Sequence, residues 1–196
     1  MRRVALPGAR EVRGTRDGPD DADPCVVACP PHPEMGGTRA DPRLRAVGEA
    51  LAERGVACLR FDYGDWDEGV GERADAHTAL DWAGERHDRV ALLGYSFGGA
   101  VALATAAERD DLRAVATLAP AAGLPDGTDS VASLDATNAP VLVVYGERDR
   151  TVDWEPVVER ARAAGHTVRG VPSGHGFAGQ RGRVADSAAS FLADPV

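Results

Sequence analysis

The chain contains no lysine and no isoleucine, and all 22 of its basic residues are arginine. Against them stand 31 acids, with Asp outnumbering Glu, for a net charge of −9. These acids are spread through loops and helix faces, and no tail collects them. A field of that sign argues against nucleic acid as a partner. No stretch approaches the roughly 18 apolar residues that a membrane-spanning helix needs. The start, Met1-Arg2-Arg3-Val4-Ala5-Leu6-Pro7, is too short for a signal peptide, so the expected setting is cytoplasmic, away from membranes. Cysteine is scarce. Cys25, Cys29 and Cys58 are odd in number and lie on or beside apolar runs, which predicts buried free thiols, not a disulfide framework. Cys29 with His32 supplies half of a metal site and nothing supplies the rest. Neither a metal nor an organic cofactor is expected.

What the sequence does contain is an alternation. At 196 residues the chain has room for one domain with a substantial core. Residues 1–24 carry weak strand signals at 2–6 and 9–14 and then a polar turn, which predicts an edge hairpin. From Cys25 onward, short apolar runs alternate with longer segments of helical period. Strands are expected at 25–29, 56–63, 90–95, 112–119, 141–145 and 167–171. Helices are expected at 41–54, 72–85, 97–109 and 154–164, with a last one containing 187–192. Strands that are apolar on both faces and alternate with helices imply an α/β fold, a mostly parallel sheet covered on both sides. The segment 120–140 is the one long irregular stretch, expected as a small flap and not a lid domain.

One motif lies between strand and helix. Gly94-Tyr95-Ser96-Phe97-Gly98 follows the apolar run Val90-Ala91-Leu92-Leu93 and opens a segment of small helix formers. That placement marks G-x-S-x-G as a nucleophile elbow. The turn is sharp enough that residues two away on each side crowd one another, and glycine there removes the Cβ clash. The serine hydroxyl then projects at a helix N-terminus, where positive partial charge favours a developing oxyanion.

A serine nucleophile needs a base, an acid to orient the base, and donors for the oxyanion. On a sheet of this kind they follow in the order Ser, acid, His. Two histidines lie downstream. His175, in a glycine-rich loop after the strand 167–171, falls on the serine's side of the sheet. His166 precedes that strand and falls at the opposite edge. The acid should follow the strand 141–145, which favours Asp149 over Glu147, expected to point sideways, and over Asp153, which reads as a helix N-cap. Phe97 N–H is the first expected oxyanion donor. In the loop Pro30-Pro31-His32-Pro33-Glu34-Met35-Gly36-Gly37 the prolines carry no N–H, so Glu34 or Met35 is expected to supply the second. His32 reads as a loop-shaping residue bonded to backbone.

These pieces resemble the α/β-hydrolase superfamily, and within it the small lidless hydrolases of the dienelactone-hydrolase-like group. The likeness is carried by His32-Pro33-Glu34-Met35-Gly36-Gly37, Leu59-Arg60-Phe61-Asp62-Tyr63, Gly94-Tyr95-Ser96-Phe97-Gly98-Gly99, Gly146-Glu147-Arg148-Asp149 and Gly174-His175-Gly176-Phe177. It runs from about residue 25 to the end. Three departures stand out. Pro30-Pro31 replaces the first of a doubled His-Pro, and Gly64-Asp65-Trp66-Asp67-Glu68-Gly69 replaces an R-G-x-G-x-S loop. Ser96 stands where dienelactone hydrolases proper carry cysteine. The composition, acidic and free of lysine, also resembles that of proteins from halophilic archaea, where dense carboxylates keep the surface hydrated; a GC-rich genome, which also swaps lysine for arginine and isoleucine for valine, is the alternative.

The resemblance implies a serine hydrolase acting on a small acyl substrate, an ester, thioester or amide, through Ser96, His175 and Asp149. Two alternatives stay open: a non-catalytic member of the fold that binds a ligand or partner, and an acyltransferase using the same three residues. Trp66 and Met35 are expected as walls of an open site. Oligomeric state is not legible in the sequence.

Overall fold

The computed structural model describes residues 2–8 and 10–193. Its strands are β1 (Arg2–Leu6), β2 (Val12–Asp17), β3 (Pro24–Cys29), β4 (Ala57–Asp62), β5 (Arg89–Tyr95), β6 (Val115–Leu118), β7 (Val141–Gly146) and β8 (Thr167–Val171). They form one sheet in the order β1-β2-β4-β3-β5-β6-β7-β8. Pairing is parallel from β4 through β8, and β2 is antiparallel to both of its neighbours. β1 and β2 therefore make a hairpin at one edge of the sheet. β2 begins later than the sequence signal at 9–14, and Ala9 lies outside the described residues.

Among the described residues six α-helices complete the fold: α1 (Pro42–Ala52), α2 (Val70–Gly84), α3 (Phe97–Ala107), α4 (Ser130–Ala136), α5 (Glu155–Ala163) and α6 (Arg181–Ala193). On one face of the sheet Leu44, Val47 and Leu51 of α1 and Val184, Ala188 and Leu192 of α6 pack against Val26, Ala28, Leu93, Leu118 and Val144. On the other face α2, α3, α4 and α5 cover Val27, Leu59, Leu92, Val115 and Val143. The central strands are apolar on both sides because both sides are covered. α3 is buried around nearly its whole circumference, and its run of Gly and Ala lets it lie close to the sheet.

Two further features differ from the sequence reading. The segment 120–140 is not irregular throughout, because α4 forms within it, capped by Asp129, whose carboxylate accepts the N–H groups of Val131 and Ala132 at 2.7 and 3.1 Å. A helix of 7 residues is too short for its period to be read from sequence. The N-cap of α5 is Trp154, not Asp153. The last helix, Arg181–Ala193, contains the expected 187–192.

Parallel strands put the C-terminal ends of β3, β5, β7 and β8 along one rim, and the loops leaving that rim hold every candidate residue.

Candidate active site

Ser96 stands between β5 and α3 with φ +57° and ψ −119°, a conformation that L side chains rarely adopt. Its N–H donates to the Leu118 carbonyl at 2.9 Å, and its own carbonyl accepts from Gly99 at 2.8 Å. The turn survives because two flanking positions lack side chains. A Cβ on Gly94 would lie 2.0 Å from the Gly98 carbonyl oxygen, and one on Gly98 would lie 2.3 Å from that of Pro30.

His175 reaches this serine from the loop after β8. Its Nε2 is 2.9 Å from Ser96 Oγ, and its Nδ1 is 2.7 Å from Asp149 Oδ2. An ionised carboxylate only accepts, so Nδ1 carries the proton and Nε2 is left to accept from the serine hydroxyl. Asp149 follows β7, with its side chain wholly buried. Its second oxygen accepts the Thr151 N–H at 2.8 Å, and its carbonyl accepts from Trp154 Nε1 at 3.2 Å. The three residues expected from the sequence are thus brought into one hydrogen-bonded line. The rivals are not: Glu147 and Asp153 face solvent, and His166 lies before β8, its N–H bonded to the Ala161 carbonyl.

The loop after β3 carries a turn that the sequence did not signal. Residues Pro33–Met35 form a single 3-10 turn in which Met35 N–H donates to the His32 carbonyl at 3.1 Å. Gly36 and Gly37 N–H groups bond to the Pro33 and His32 carbonyls, each at 3.0 Å. Met35 N–H is therefore committed inside the loop. Glu34 is exposed and does not line the cleft. Pro30 and Pro31 have no N–H, which leaves the amide of His32 as the first free donor past β3, on a residue that does line the cleft beside Ser96 and Phe97. The 3-10 turn, invisible in sequence, engages the amides of Met35, Gly36 and Gly37. The His32 ring also departs from its expected role. It makes no bond to backbone; its Nδ1 is buried without a partner, and the ring packs 4.4 Å from Trp66 and 5.0 Å from Phe97.

Around Ser96 and His175 opens a cleft of about 450 Å³, walled by Met35, Phe97, Pro125 and Val152. Met35 is 81% exposed and forms part of the rim. Trp66, expected as a wall, instead backs the His32 ring. Its loop is tied down by α2: buried Glu72 accepts the N–H groups of Asp67 and Gly69 at 3.0 and 2.8 Å, and buried Asp75 accepts that of Gly64 at 2.9 Å. Burial pushes the Asp75 carboxyl up, against the Gly64 N–H and the Arg10 guanidinium. Three residues the sequence reading did not single out, Asp41, Arg43 and Tyr95, line the same cleft. Tyr95 was in view only as a variable position of the motif. Among the described residues no group of His, Cys, Asp and Glu is arranged to hold a metal ion, and no helix is long and apolar enough to cross a membrane.

Comparison with known proteins agrees with this architecture. A profile of the dienelactone hydrolase family matches residues 63–193. The chain is 33% identical over 152 residues to the quorum-quenching protein AidA of Acinetobacter baumannii, a match covering 68% of this chain and 49% of that protein. This chain spans 49% and 60% of the lengths of the curated relatives it matches. Among solved structures, an Agrobacterium tumefaciens protein of unknown function, described as an α/β hydrolase, superposes with a TM-score of 0.85. It is 23% identical, and the match covers 97% of this chain and 94% of that one. A lidless α/β serine hydrolase from Xanthomonas campestris superposes with a TM-score of 0.77 at 23% identity, over 97% and 91% of the two chains. The chain belongs to the dienelactone hydrolase family.

Proposed function

We propose that this hydrolase works through an acyl-enzyme on Ser96 and cleaves an ester, thioester or amide bond of a small substrate. The observation that carries the reading is the unbroken line from Asp149 through His175 to Ser96, with contacts of 2.7 and 2.9 Å. His175 Nε2 takes the proton of Ser96 as Oγ attacks the acyl carbonyl, and Asp149 stabilises the imidazolium. The N–H groups of Phe97 and His32 hold the oxyanion, each worth about 3–4 kcal/mol in the transition state. Collapse of the tetrahedral intermediate expels the leaving group, which receives the proton from His175. Water, deprotonated by the same imidazole, then releases the acid and restores Ser96. The apolar cleft suits a short acyl chain, and no cofactor enters any step.

We read the acidic, lysine-free surface as suited to high salt, so assays belong in molar as well as dilute KCl. The test is a fluorophosphonate probe with the adduct located by mass spectrometry. Labelling at Ser96 that is lost in His175→Ala is the expected result. A folded protein that leaves the probe untouched would overturn the hydrolytic mechanism in favour of a binding role. Product analysis in the presence of alcohols and amines separates transfer to water from transfer to another acceptor.

A further inference from the structure

Beside the reacting residues lies a second connected set. Arg43, in the first turn of α1, stacks its guanidinium over the Tyr95 ring, Cζ to centroid 4.4 Å. Tyr95 is 3% exposed and immediately precedes Ser96. Its phenolic O–H donates to the carbonyl oxygen of His175 at 3.3 Å, and its ring lies 5.3 Å from the imidazole. On the far side Arg43 is ion-paired with Asp41, which caps α1 by accepting the Arg43 and Leu44 N–H groups. Arg43 also abuts the histidine loop, since a Cβ on Gly176 would sit 3.7 Å from its guanidinium nitrogen.

The consequence is mechanical. His175 hangs on a glycine-flanked loop, and Asp149 and Ser96 fix the two ends of its ring but not the backbone that carries it. The Tyr95 hydroxyl is the side-chain bond to that backbone at His175 itself. Tyr95 in turn is held from above by a guanidinium whose position is set by an N-cap carboxylate. Aromatic and guanidinium planes prefer such stacking.

We propose that Arg43 is a positioning residue: through Tyr95 it holds the His175 loop in register with Ser96 and Asp149. Asp41 fixes Arg43, Arg43 clamps the ring, and the ring's hydroxyl holds the histidine backbone. The inference rests on the serine-hydrolase reading, because the quantity being positioned is the base of that reaction.

The test compares Arg43→Met, Arg43→Lys, Tyr95→Phe and the double variant Arg43→Met/Tyr95→Phe, each checked for folding by circular dichroism. Readouts are kcat and KM on neutral and anionic short-chain esters, the rate of fluorophosphonate labelling, and the downfield proton signal of His175 Nδ1–H. Arg43→Met should lower kcat and the labelling rate about 10–100-fold, the range expected for misplacement of a reacting group, with KM little changed. Its downfield proton signal should broaden or vanish. Arg43→Lys should recover part of the rate, and the double variant should lose less than the product of the single losses. Three results would overturn the inference: rates unaffected by Arg43→Met, multiplicative losses in the double variant, or a rise in KM confined to anionic esters. The last would make Arg43 a substrate contact. If wild-type Ser96 does not label at all, the failure belongs to the hydrolase reading and not to Arg43.

Discussion

The α-carbon of Gly98 packs against the backbone of the loop after β3, so that a Cβ there would lie 2.3 Å from the Pro30 carbonyl oxygen and 2.4 Å from that of Cys29. Helix α3 and the loop after β3 therefore meet backbone to backbone. In the proposed mechanism this close approach, which a side chain at residue 98 would prevent, brings together the segments that carry the Phe97 and His32 amides. Gly98→Ala should push the two loops apart by several tenths of an ångström. We expect kcat to fall about 100-fold or more, since an oxyanion donor displaced by that much loses most of its worth. Thermal unfolding should also shift downward. Wild-type turnover in this variant would show that the two amides do not act together.

The assignment of the second oxyanion donor to a backbone amide invites a proline test. His32 has φ −52° and ψ 119°, values that proline adopts without strain. His32→Ala removes the ring and keeps the N–H; His32→Pro removes both. The difference between the two variants isolates the amide. It should amount to about 100–1,000-fold in kcat with similar KM values. Equal activities would return the role to Glu34, which Glu34→Pro would then expose.

Asp149 accepts from Thr151 N–H through one oxygen and faces His175 Nδ1 with the other. In Asp149→Asn an amide that turns its NH₂ toward the imidazole forces the wrong tautomer, leaving Nε2 protonated and unable to act as base. A loss of about 1,000–10,000-fold in kcat is expected from that inversion. Asp153→Asn, at an exposed position, should retain wild-type rates. The reverse pattern in steady-state assays would exchange the two acids.

How far the site could be read in the sequence depended on which kind of signal each residue leaves. Ser96, His175 and the C-terminal rim were legible because the alternation of apolar runs with helical periods fixes strand direction, and direction alone separates His175 from His166. Glycines at 94 and 98 were legible as relief of a clash that the turn itself dictates. The engagement of the Met35 amide inside its loop was not, since a 3-10 turn over Pro33–Met35 depends on hydrogen bonds that carry no side-chain pattern. Arg43 was illegible for another reason: its partner Tyr95 lies two strands away in the chain, and only the tertiary fold brings guanidinium and ring together. Trp66 was expected in the cleft because it is large and near the rim. The bonds from Glu72 and Asp75, which draw its loop back onto α2, were not visible beforehand.

The thiols give a sharp chemical prediction. Burial pushes Cys25 and Cys29 up to about 12, and raises Cys58 further still. The thiolate is the reactive form, so at pH 8 almost none is present in the folded protein. Native protein should be inert to a chromogenic disulfide reagent over hours. All three thiols should titrate at once when the chain is unfolded in guanidinium. Fast reaction of one thiol in the native state would mean that β3 or β4 opens locally.

Acid stability can be argued from Asp111. Its carboxylate pairs with Arg109 at 2.6 Å, and the guanidinium holds the carboxyl below the usual range. In the unfolded chain the same group titrates near the ordinary Asp value of about 3.9. Above that value both states are ionised and the pair contributes fully. As pH falls the unfolded chain takes up the proton first, so the contribution fades and is gone once the folded carboxyl is itself protonated. Asp111→Asn should therefore lower Tm at neutral pH, with the two melting curves converging as the pH is lowered through the carboxylate range. The gap is expected to be small because Asp111 faces solvent. It should shrink further in molar KCl, where screening weakens an exposed pair. A gap that widened toward low pH would mean that the carboxyl is held up, not down, in the folded protein.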